Sequence, residues 1–486
     1  MTTRQQRVET SQSVLLQPRG QARSSGARGR LVGALRRAGR LGIPFFAGGA
    51  VLLSGCDVVN PGPVQDQFLN DAQSHAPLVA GAGRSLARAV KGLAPAMAIS
   101  AREIFPGGQT GSCDGGVPGW STLQMSGHFE DGQPCRWDQI QQARFIAENA
   151  LDRFVNQGAL EGAESSPLTA RAHIWAGFAY RVMGEHFCEV VFDGGAPEPA
   201  SSAFERAEAH FSQAIDVAGR AGDANLRRAA QAGRAQVRAW RGDWAGSSSD
   251  AAEIPNDFDF GVVMDNTIAE TRNRIFWLNA NLPYRSFSIK HTFFEEYYPE
   301  TGDPRTPTFT VEAFPWANAS LSGYGQVPFI NQGKYTTPND DIRLVSGREM
   351  RLIEAEALLV QGQWQQAMDR INQMRTSLVS DVSGAPLEPW TATSLDEAWQ
   401  MLKRERFIEL WLEGRRLGDL RRWEEQSAPG AVDWPDWESL SPLFRDNPRS
   451  RCLSIPNVER NANPNVPTDL PTSHLWTPLG TRPGGG

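Results

Sequence analysis

Residues 349–375 read EMRLIEAEALLVQGQWQQAMDRINQMR, and the spacing of their apolar residues indicates the fold class. Apolar residues recur at intervals of three and four on both sides of Gly362, which predicts amphipathic helices over 346–361 and 364–378. Gly362 can adopt the left-handed backbone conformation that stops the first helix, and Trp364 opens the second. The stretch therefore predicts a helical hairpin.

The same hairpin pattern recurs earlier in the chain. Residues 240–245 (WRGDWA) parallel residues 360–365 (VQGQWQ), and both follow an Ala-rich helical stretch. Residues 180–185, which include Gly184, form a looser third copy. Repeated hairpins of this kind are typical of tetratricopeptide-like units, whose neighbours bury each other's apolar faces. The copies are irregular and far apart, so we expect a globular helical body rather than a regular solenoid.

Helical periodicity extends over much of the remaining chain, which predicts a mostly α fold. Ser394 and Glu397 form a capping-box signature, and Pro167 sits where its missing N–H costs little, near a helix start. The further predicted helices are 66–92, 137–157, 168–187, 202–221, 224–241 and 394–424.

Residues 255–345 have a different composition, rich in Pro, Gly, Asn and aromatic residues. Runs such as 274–278 and 308–311 are typical of strands, and five of the six tyrosines fall between Tyr284 and Tyr335. We expect this insert to form a loop-rich, partly β ligand face on the helical body. We expect residues 471–486 to form a flexible C-terminal tail.

The N-terminal residues 1–55 belong to a separate class. Residues 1–40 hold nine Arg, no Lys and one acid, and the uncharged residues 41–53 (LGIPFFAGGAVLL) follow. A membrane-spanning helix needs about 20 apolar residues, so this run is too short and is typical of a signal peptide. Leu53-Ser54-Gly55-Cys56 resembles the bacterial lipobox, in which the Cys is acylated and becomes the new N-terminus.

We therefore predict a disordered Arg-rich extension followed by a lipoprotein signal peptide over residues 1–55, and lipidation of Cys56. A buried core helix with an incidental Cys is the alternative. Translation starting nearer residue 31 would shorten the extension, and Asp57 leaves the destination membrane leaflet open.

The composition gives little support for nucleic-acid binding or for catalysis. The whole chain carries a net charge of −7, and the part after residue 55 is more acidic still. The sequence contains no phosphate-binding Gly-x-x-x-x-Gly-Lys loop, no His-Glu-x-x-His zinc helix and no Gly-x-Ser-x-Gly elbow. We expect a binding protein that is not an enzyme and has no cofactor or metal, although two suitably placed carboxylates would suffice for a glycosidase.

Glu405, Glu409 and Glu413 repeat at i, i+4 within the predicted helix 394–424 and would share one face. An acidic triplet could serve acid–base catalysis or bind a metal. The favoured interpretation is an ion network that fixes this helix to the hairpins. The expected partners are Arg404, Arg406, Arg415 and Arg416.

An ordered series of motifs resembles the SusD/RagB family of outer-membrane nutrient-binding lipoproteins. The resemblance covers roughly 56–467. Its motifs are residues 341–344, 349–357, 371–375, 405–410 and 413–423, with Asp303-Pro304-Arg305, Lys334-Tyr335, Ile455-Pro456 and Asn463-Pro464-Asn465.

The resemblance implies a single SusD-like domain over residues 56–470, with tetratricopeptide-like hairpins and a looped ligand face. It also implies a lipid-anchored outer-membrane protein exposed at the cell surface, without enzymatic activity. The expected partners are a SusC-type TonB-dependent barrel and an oligosaccharide or peptide ligand. A surface glycoside hydrolase, or a tetratricopeptide-type scaffold that binds protein segments, are the alternatives.

Aromatic side chains carry the prediction of a ligand site, because the apolar face of a sugar ring stacks on Trp or Tyr while polar groups fix its hydroxyls. Packing inside the protein is the alternative for each of them. The predicted ligand-binding residues are Trp120, which adjoins the glycine-rich stretch 107–119, and Tyr297, Tyr298, Trp316 and Tyr324.

Four cysteines remain after Cys56, and an even number in an exported chain suggests disulfides. The favoured pairs are Cys113–Cys135 and Cys188–Cys452, although four cysteines allow three connectivities. Four buried thiols are the alternative.

Overall fold

Helices dominate the part of the chain that the computed structural model describes, namely residues 66–107, 129, 136–280, 284–321, 325–432, 449–468 and 475–476. The mostly α prediction is confirmed. In this part the helices are α1 (Ala72–Ser100), α2 (Trp137–Leu151), α3 (Pro167–His186), α4 (Ala200–Ala221), α5 (Ala224–Arg241), α6 (Trp244–Ala252), α7 (Phe294–Thr301), α8 (Gly347–Val360), α9 (Trp364–Arg375), α10 (Leu395–Glu409), α11 (Arg416–Glu425) and α12 (Asn457–Ala462). Short 3-10 turns cover Asp66–Asn70 and Ala163–Ser165, and π turns cover Asp152–Asn156 and Phe276–Ala280.

Both strong copies of the predicted hairpin form as expected. Gly242 follows α5 with a φ of 76°, and Gly362 follows α8 with a φ of 77°, the left-handed conformation that glycine adopts at least cost. Trp244 and Trp364 each begin the second helix of a hairpin. Helix α6 packs against both α5 and α8, so the two hairpins are neighbours in space.

The prediction of a third, looser hairpin copy at residues 180–185 is wrong, because Gly184 lies inside α3 and does not end a helix. A Cβ at this position would lie 2.9 Å from the ring of Phe204 in α4. The glycine therefore serves the close packing of α3 on α4, where two ordinary side chains could not meet at this distance.

The long helix predicted over 394–424 is also wrong, because the chain breaks between α10 and α11. Leu412 and Gly414 adopt positive φ values of 61° and 74°. A Cβ at Gly414 would lie 2.8 Å from Cα of Ala94, so the turn sits directly on helix α1. This long-range contact places Glu413 in the turn, outside the helix that carries Glu405 and Glu409.

Strands in the described residues form two-stranded antiparallel sheets, most of them in or beside the aromatic insert. The pairs are β1 (Phe105–Pro106) with β5 (Phe287–Ser288), β2 (Glu189–Val190) with β3 (Glu198–Pro199), β4 (Asp259–Val262) with β10 (Ile342–Ser346), β6 (Thr308–Thr310) with β9 (Ile330–Gln332), β7 (Trp316–Leu321) with β8 (Gly325–Pro328), and β11 (Arg449–Ser450) with β12 (Leu475–Trp476).

Of the two strand-like runs, 308–311 is confirmed as β6 and 274–278 is wrong. The second run enters the helical turn at 276–280, whose start is capped by the Asn273 side chain, which accepts from the Phe276 N–H at 3.1 Å. Ile275, Leu278 and Asn279 are buried at helical spacing, so a buried apolar run was mistaken for a strand.

A disulfide joins Cys188 to Cys452, with their Cα atoms 5.3 Å apart, and ties the end of α3 to the C-terminal segment. Leu453 reinforces the junction, since its N–H donates to the His186 carbonyl and its own carbonyl accepts from the Cys188 N–H. This is the favoured pair from the sequence. Cys56, Cys113 and Cys135 lie outside the described residues, so their lipidation and pairing stay predictions.

None of the helices among the described residues is long and apolar enough to span a bilayer.

A candidate ligand-binding face

Aromatic side chains gather at the surface where residues 272–280 and 284–288 meet strands β7 and β8. Tyr284 and Trp316 are 48% and 46% exposed, which is unusual for rings of this size. The ring of Tyr284 meets Trp277 edge-on, with centroids 5.3 Å apart. We call the surface formed by Trp277, Tyr284, Phe314 and Trp316, together with Arg272 and Arg285, the aromatic face.

Backbone hydrogen bonds hold the aromatic face in place. The Ser286 N–H donates to the Leu278 carbonyl at 2.8 Å, and the Asn318 N–H donates to the Arg285 carbonyl at 3.1 Å. The segment that carries Tyr284 is thus tied on one side to the turn that carries Trp277 and on the other to strand β7. The rings are positioned by the backbone rather than by burial of their own surface.

Gly107 connects the aromatic face to the N-terminal half of the chain. Its N–H donates to the Ser286 carbonyl at 2.8 Å. A Cβ at Gly107 would lie 2.7 Å from Cβ of Ala317, the neighbour of Trp316, so only glycine permits this approach. Gly107 is the last described residue before the stretch that leads to Trp120, and Trp120 itself lies outside the described residues.

Two arginines stack on rings of the aromatic face. Cζ of Arg272 lies 4.0 Å from the ring centroid of Trp277, and Cζ of Arg285 lies 4.5 Å from that of Phe314. The Arg285 Nε–H also donates to the Trp316 carbonyl at 3.3 Å. Such stacking fixes the plane of a guanidinium group while its N–H edge stays able to bind an anion.

The structure separates the predicted ligand-binding residues. Trp316 lies on the aromatic face, whereas Tyr324 lies outside the described residues. Tyr297 is only 5% exposed, and its hydroxyl donates to Asp303 at 2.8 Å and accepts from Arg375 at 2.8 Å. Its assignment as a surface stacking residue is therefore corrected, because a buried ring held by two charged partners cannot stack on a ligand.

Tyr298 is half-buried on α7, and its hydroxyl donates to Asp381 at 3.4 Å. In the described residues its ring makes no stacking contact with the aromatic face. The sequence prediction missed Trp277, Tyr284 and Phe314, as well as both arginines. Tyr284 opens the tyrosine cluster noted in the sequence, but which tyrosines face outward depends on the way the insert docks on the helices.

A second cluster, the ionic core, lies buried between the insert and the last helices. Arg305 is its centre, with Nη2 2.7 Å from carboxylate oxygens of both Asp303 and Glu405 and Nη1 3.3 Å from Glu409. Arg343 and Arg348 also reach Glu409, at 3.2 and 2.9 Å. The ionic core joins these residues to Lys334, Arg375 and Glu413.

The electrostatics of the ionic core favour a structural role. Burial opposes ionisation of Glu409, but Arg343, Arg348 and Arg305 outweigh it and lower the pKa to about 2. A general acid at neutral pH needs a raised pKa, so Glu409 is unsuited to that task. The three glutamates thus belong to an ion network that fixes the last helices, as the favoured interpretation held.

The partners in the ionic core differ from those expected. Arg406 pairs with Asp419 at 2.8 Å, and Arg415 pairs with Glu185 at 2.6 Å, which fastens the α10–α11 turn to α3. Glu413, displaced from the helix by the turn, accepts from Lys334 at 2.7 Å. Among the described residues, no group of three His, Cys, Asp or Glu side chains is arranged to hold a metal ion.

A groove of about 510 Å³ runs between α2 and α12, well separated in sequence from the insert. Phe145 and Val458 are exposed at its edge. Trp137 in its wall is only 2% exposed, and Arg144 is already paired with Glu148 and Asp193, so these two groups are less accessible to a ligand than Tyr284 and Arg272. A scaffold protein would need a groove of this sort without an aromatic face, and this chain has both.

Comparisons with known proteins agree with the sequence resemblance. Residues 314–464 match the model of the SusD family. No curated protein matches the chain in sequence. Among solved structures, a SusD superfamily protein from Bacteroides vulgatus ATCC 8482 has a TM-score of 0.58 at 13% identity, over 82% of this chain and 98% of that one.

Two further solved structures are similar to this chain. The surface glycan-binding protein A from Bacteroides uniformis has a TM-score of 0.58 at 15% identity, over 81% of this chain and 98% of that one. A laminarin-binding SusD-like protein has a TM-score of 0.53 at 14% identity, over 82% and 98%. At these identities the likeness concerns the fold. Residues 314–464 thus resemble the SusD family, and the chain has a fold like that of the solved SusD-like structures.

Proposed function

We propose that this chain is a lipid-anchored outer-membrane protein that binds an oligosaccharide at the aromatic face without cleaving it. The observation that carries the proposal is the pair of exposed rings, Tyr284 and Trp316, on segments that backbone hydrogen bonds hold side by side. Exposure of apolar rings to water is unfavourable, and a group of such rings on a protein surface is typical of a binding site, where a ligand covers them. Similar folds belong to a glycan-binding and a laminarin-binding protein, which supports a carbohydrate as the ligand.

The expected affinity follows from the size of the aromatic face. Two stacked sugar rings and a few hydrogen bonds could supply about 4 to 8 kcal/mol, which corresponds to a dissociation constant of about 1 mM to 1 µM. Binding in this range suits a protein that must release its cargo. The recipient in this proposal is a SusC-type TonB-dependent barrel, which would import the ligand.

The membrane anchor in this proposal is an acylated Cys56. Mass spectrometry of protein extracted from membranes should find a chain that begins at this acylated residue. A soluble product that retains residues 31–55 would contradict the anchor without affecting the binding site. Co-purification of the anchored protein with a β-barrel transporter would test the transfer step.

The binding proposal is tested by calorimetry with a panel of oligosaccharides, and with peptides as the alternative ligand class. Tyr284→Ala should weaken binding about 10-fold, because loss of one stacked ring removes about 1–1.5 kcal/mol. Phe68→Ala is the matched control, since Phe68 is 47% exposed but lies on the 3-10 turn before α1. The affinity of Phe68→Ala for the oligosaccharide should stay within twofold of that of the wild type.

Three outcomes would contradict the proposal. Equal binding by wild type and Tyr284→Ala would place the ligand elsewhere. Binding to peptides but to none of the oligosaccharides would show that the ligand is a peptide. Release of reducing ends during the titration would show a glycoside hydrolase, the alternative that the sequence left open.

A further inference from the structure

We propose that the aromatic face selects an acidic oligosaccharide, one that carries carboxylate or sulfate groups. This inference rests on the proposed function and narrows it to a substrate class. It starts from two guanidinium groups of the face, each stacked on one of its rings. A guanidinium group can donate to the hydroxyls of a neutral sugar, but its hydrogen bonds to a carboxylate or sulfate are about twice as strong.

Arg272 carries the argument because its charge has no counterion on the described surface. Its guanidinium lies over Trp277 at 4.0 Å, and among the described residues it forms no ion pair. The nearest acid in sequence, Glu270, is already paired with Arg88 at 3.5 Å. In the same segment, then, the carboxylate has a partner and the half-buried guanidinium has an aromatic ring instead.

Arg285, the residue after Tyr284, is the second stacked arginine of the face. Contact with Phe314 at 4.5 Å and the hydrogen bond from Nε to the Trp316 carbonyl orient its guanidinium plane. Arg285 makes further interactions of its own, so it contributes positive charge of fixed position rather than a free fork. The stacked guanidinium of Arg272 is the fork that matches the two oxygens of a carboxylate or sulfate, and less conformational freedom is lost when it binds.

The local charge runs against the charge of the whole protein. The chain is acidic, with a net charge of −7, and a general attraction for anions is therefore absent. At physiological ionic strength charges are screened beyond about 8 Å, so an anion at the face responds to Arg272 and Arg285 rather than to the distant surface. Selectivity for an acidic ligand would be a property of this face alone.

The test compares each acidic oligosaccharide with a neutral form of the same shape. The probes are trimers of galacturonate, glucuronate and mannuronate, each with its methyl ester, and a sulfated galactose trimer with its unsulfated form. Calorimetry on the mature protein at fixed ionic strength should show that at least one acidic probe binds about 10-fold more tightly than its neutral form. The uronate and sulfate probes distinguish the two kinds of acid group.

Variants then assign the preference to the arginines. Arg272→Gln should weaken binding of the acidic probe about 10-fold and leave its neutral form within twofold. Arg272→Lys keeps the charge without the planar fork, so its affinity for the acidic probe should lie between those of the wild type and Arg272→Gln. Arg171→Gln, at an exposed position on α3, is the matched control and should change neither affinity.

Each unfavourable result has one meaning. Equal loss for acidic and neutral probes in Arg272→Gln would show that Arg272 only supports Trp277, and would overturn the inference. A neutral oligosaccharide that binds as tightly as every acidic one, in a Tyr284-dependent manner, would overturn it while the proposed function stands. Absence of binding by all oligosaccharides would overturn both.

Discussion

The ionic core and the aromatic face are built from the same kinds of side chain, arginines and aromatic rings, yet burial gives them opposite roles. Arg305 of the ionic core touches three carboxylates, and Tyr297, whose hydroxyl is bonded to two members of the ionic core, is 5% exposed. On the aromatic face, Tyr284 is 48% exposed and Arg272 touches a ring. Where partners are supplied from within, the residues stabilise the fold. Where they are not, the residues can bind a ligand.

The two regions should therefore respond differently to substitution. Removal of one member of a buried ion cluster leaves the others charged and without compensation. Removal of an exposed ring leaves the folded protein much as it was. Stability should follow the ionic core and affinity should follow the aromatic face, with little crossover between them.

The largest expected effect is that of Glu409→Gln. Arg305, Arg343 and Arg348 would lose a shared buried counterion, and the free energy of unfolding should fall by about 3–5 kcal/mol. Urea denaturation measures the change. Glu296→Gln, at an exposed position on α7, is the control and should shift stability by less than about 0.5 kcal/mol. If Glu409→Gln loses no more unfolding free energy than the control, the structural role of the ionic core is contradicted.

Glu103 is a buried glutamate outside the ionic core, and its pKa is shifted in the opposite direction from that of Glu409. Burial raises the pKa of Glu103 from 4.5 to about 7, while the Leu412 N–H that donates to it only partly offsets this. Below pH 4.5 the carboxyl is protonated in both the folded and unfolded states, so its contribution to stability is fully present there. That contribution is lost as the pH rises through 7, since ionisation then favours the unfolded chain.

Glu103→Gln cannot titrate, so its stability relative to wild type should increase from pH 5 to pH 8. A pKa difference of this size corresponds to about 3 kcal/mol. Urea denaturation at both pH values measures the change. A constant difference between the two proteins, or one that shrinks at pH 8, would mean that Glu103 is ionised in the folded state throughout this range.

Tyr297→Phe is expected to have a smaller effect on stability and none on ligand binding. The variant loses hydrogen bonds to Asp303 and Arg375, which should cost about 2 kcal/mol. Tyr298→Phe is the matched control one residue away, because its 3.4 Å hydrogen bond to Asp381 is long and exposed. Thermal denaturation and calorimetry measure the two properties. A drop in affinity for Tyr297→Phe would place this residue in the ligand site after all.

Local sequence patterns predicted the parts of the fold that depend on local physics. Gly242 and Gly362 marked the hairpin turns because a left-handed turn is a property of a few residues. The break at Gly414 could not be predicted in this way, since its cause is contact with Ala94, more than 300 residues earlier. Similarly, Gly184 looked like a turn, although its reason is the ring of Phe204 on another helix.

The candidate site was predictable in composition and only partly in detail. Clustered aromatic residues indicated the insert, and Trp316 proved to be exposed there. Tyr297 and Tyr298 are adjacent and identical in type, so the sequence could not tell that one docks on the ionic core. The partners of Glu409 come from β10, α8 and the segment before β6, and no local spacing connects these to α10.

Trp316→Ala separates the roles of the two regions when its calorimetry and urea denaturation are compared with those of the wild type, with an oligosaccharide that the wild type binds. Trp316 is 46% exposed, so the free energy of unfolding should change by less than about 0.5 kcal/mol. Affinity should fall about 10-fold, as one stacked ring is lost. Unchanged affinity, or a loss of stability as large as that of Glu409→Gln, would contradict the division between an aromatic face that binds and an ionic core that holds the fold.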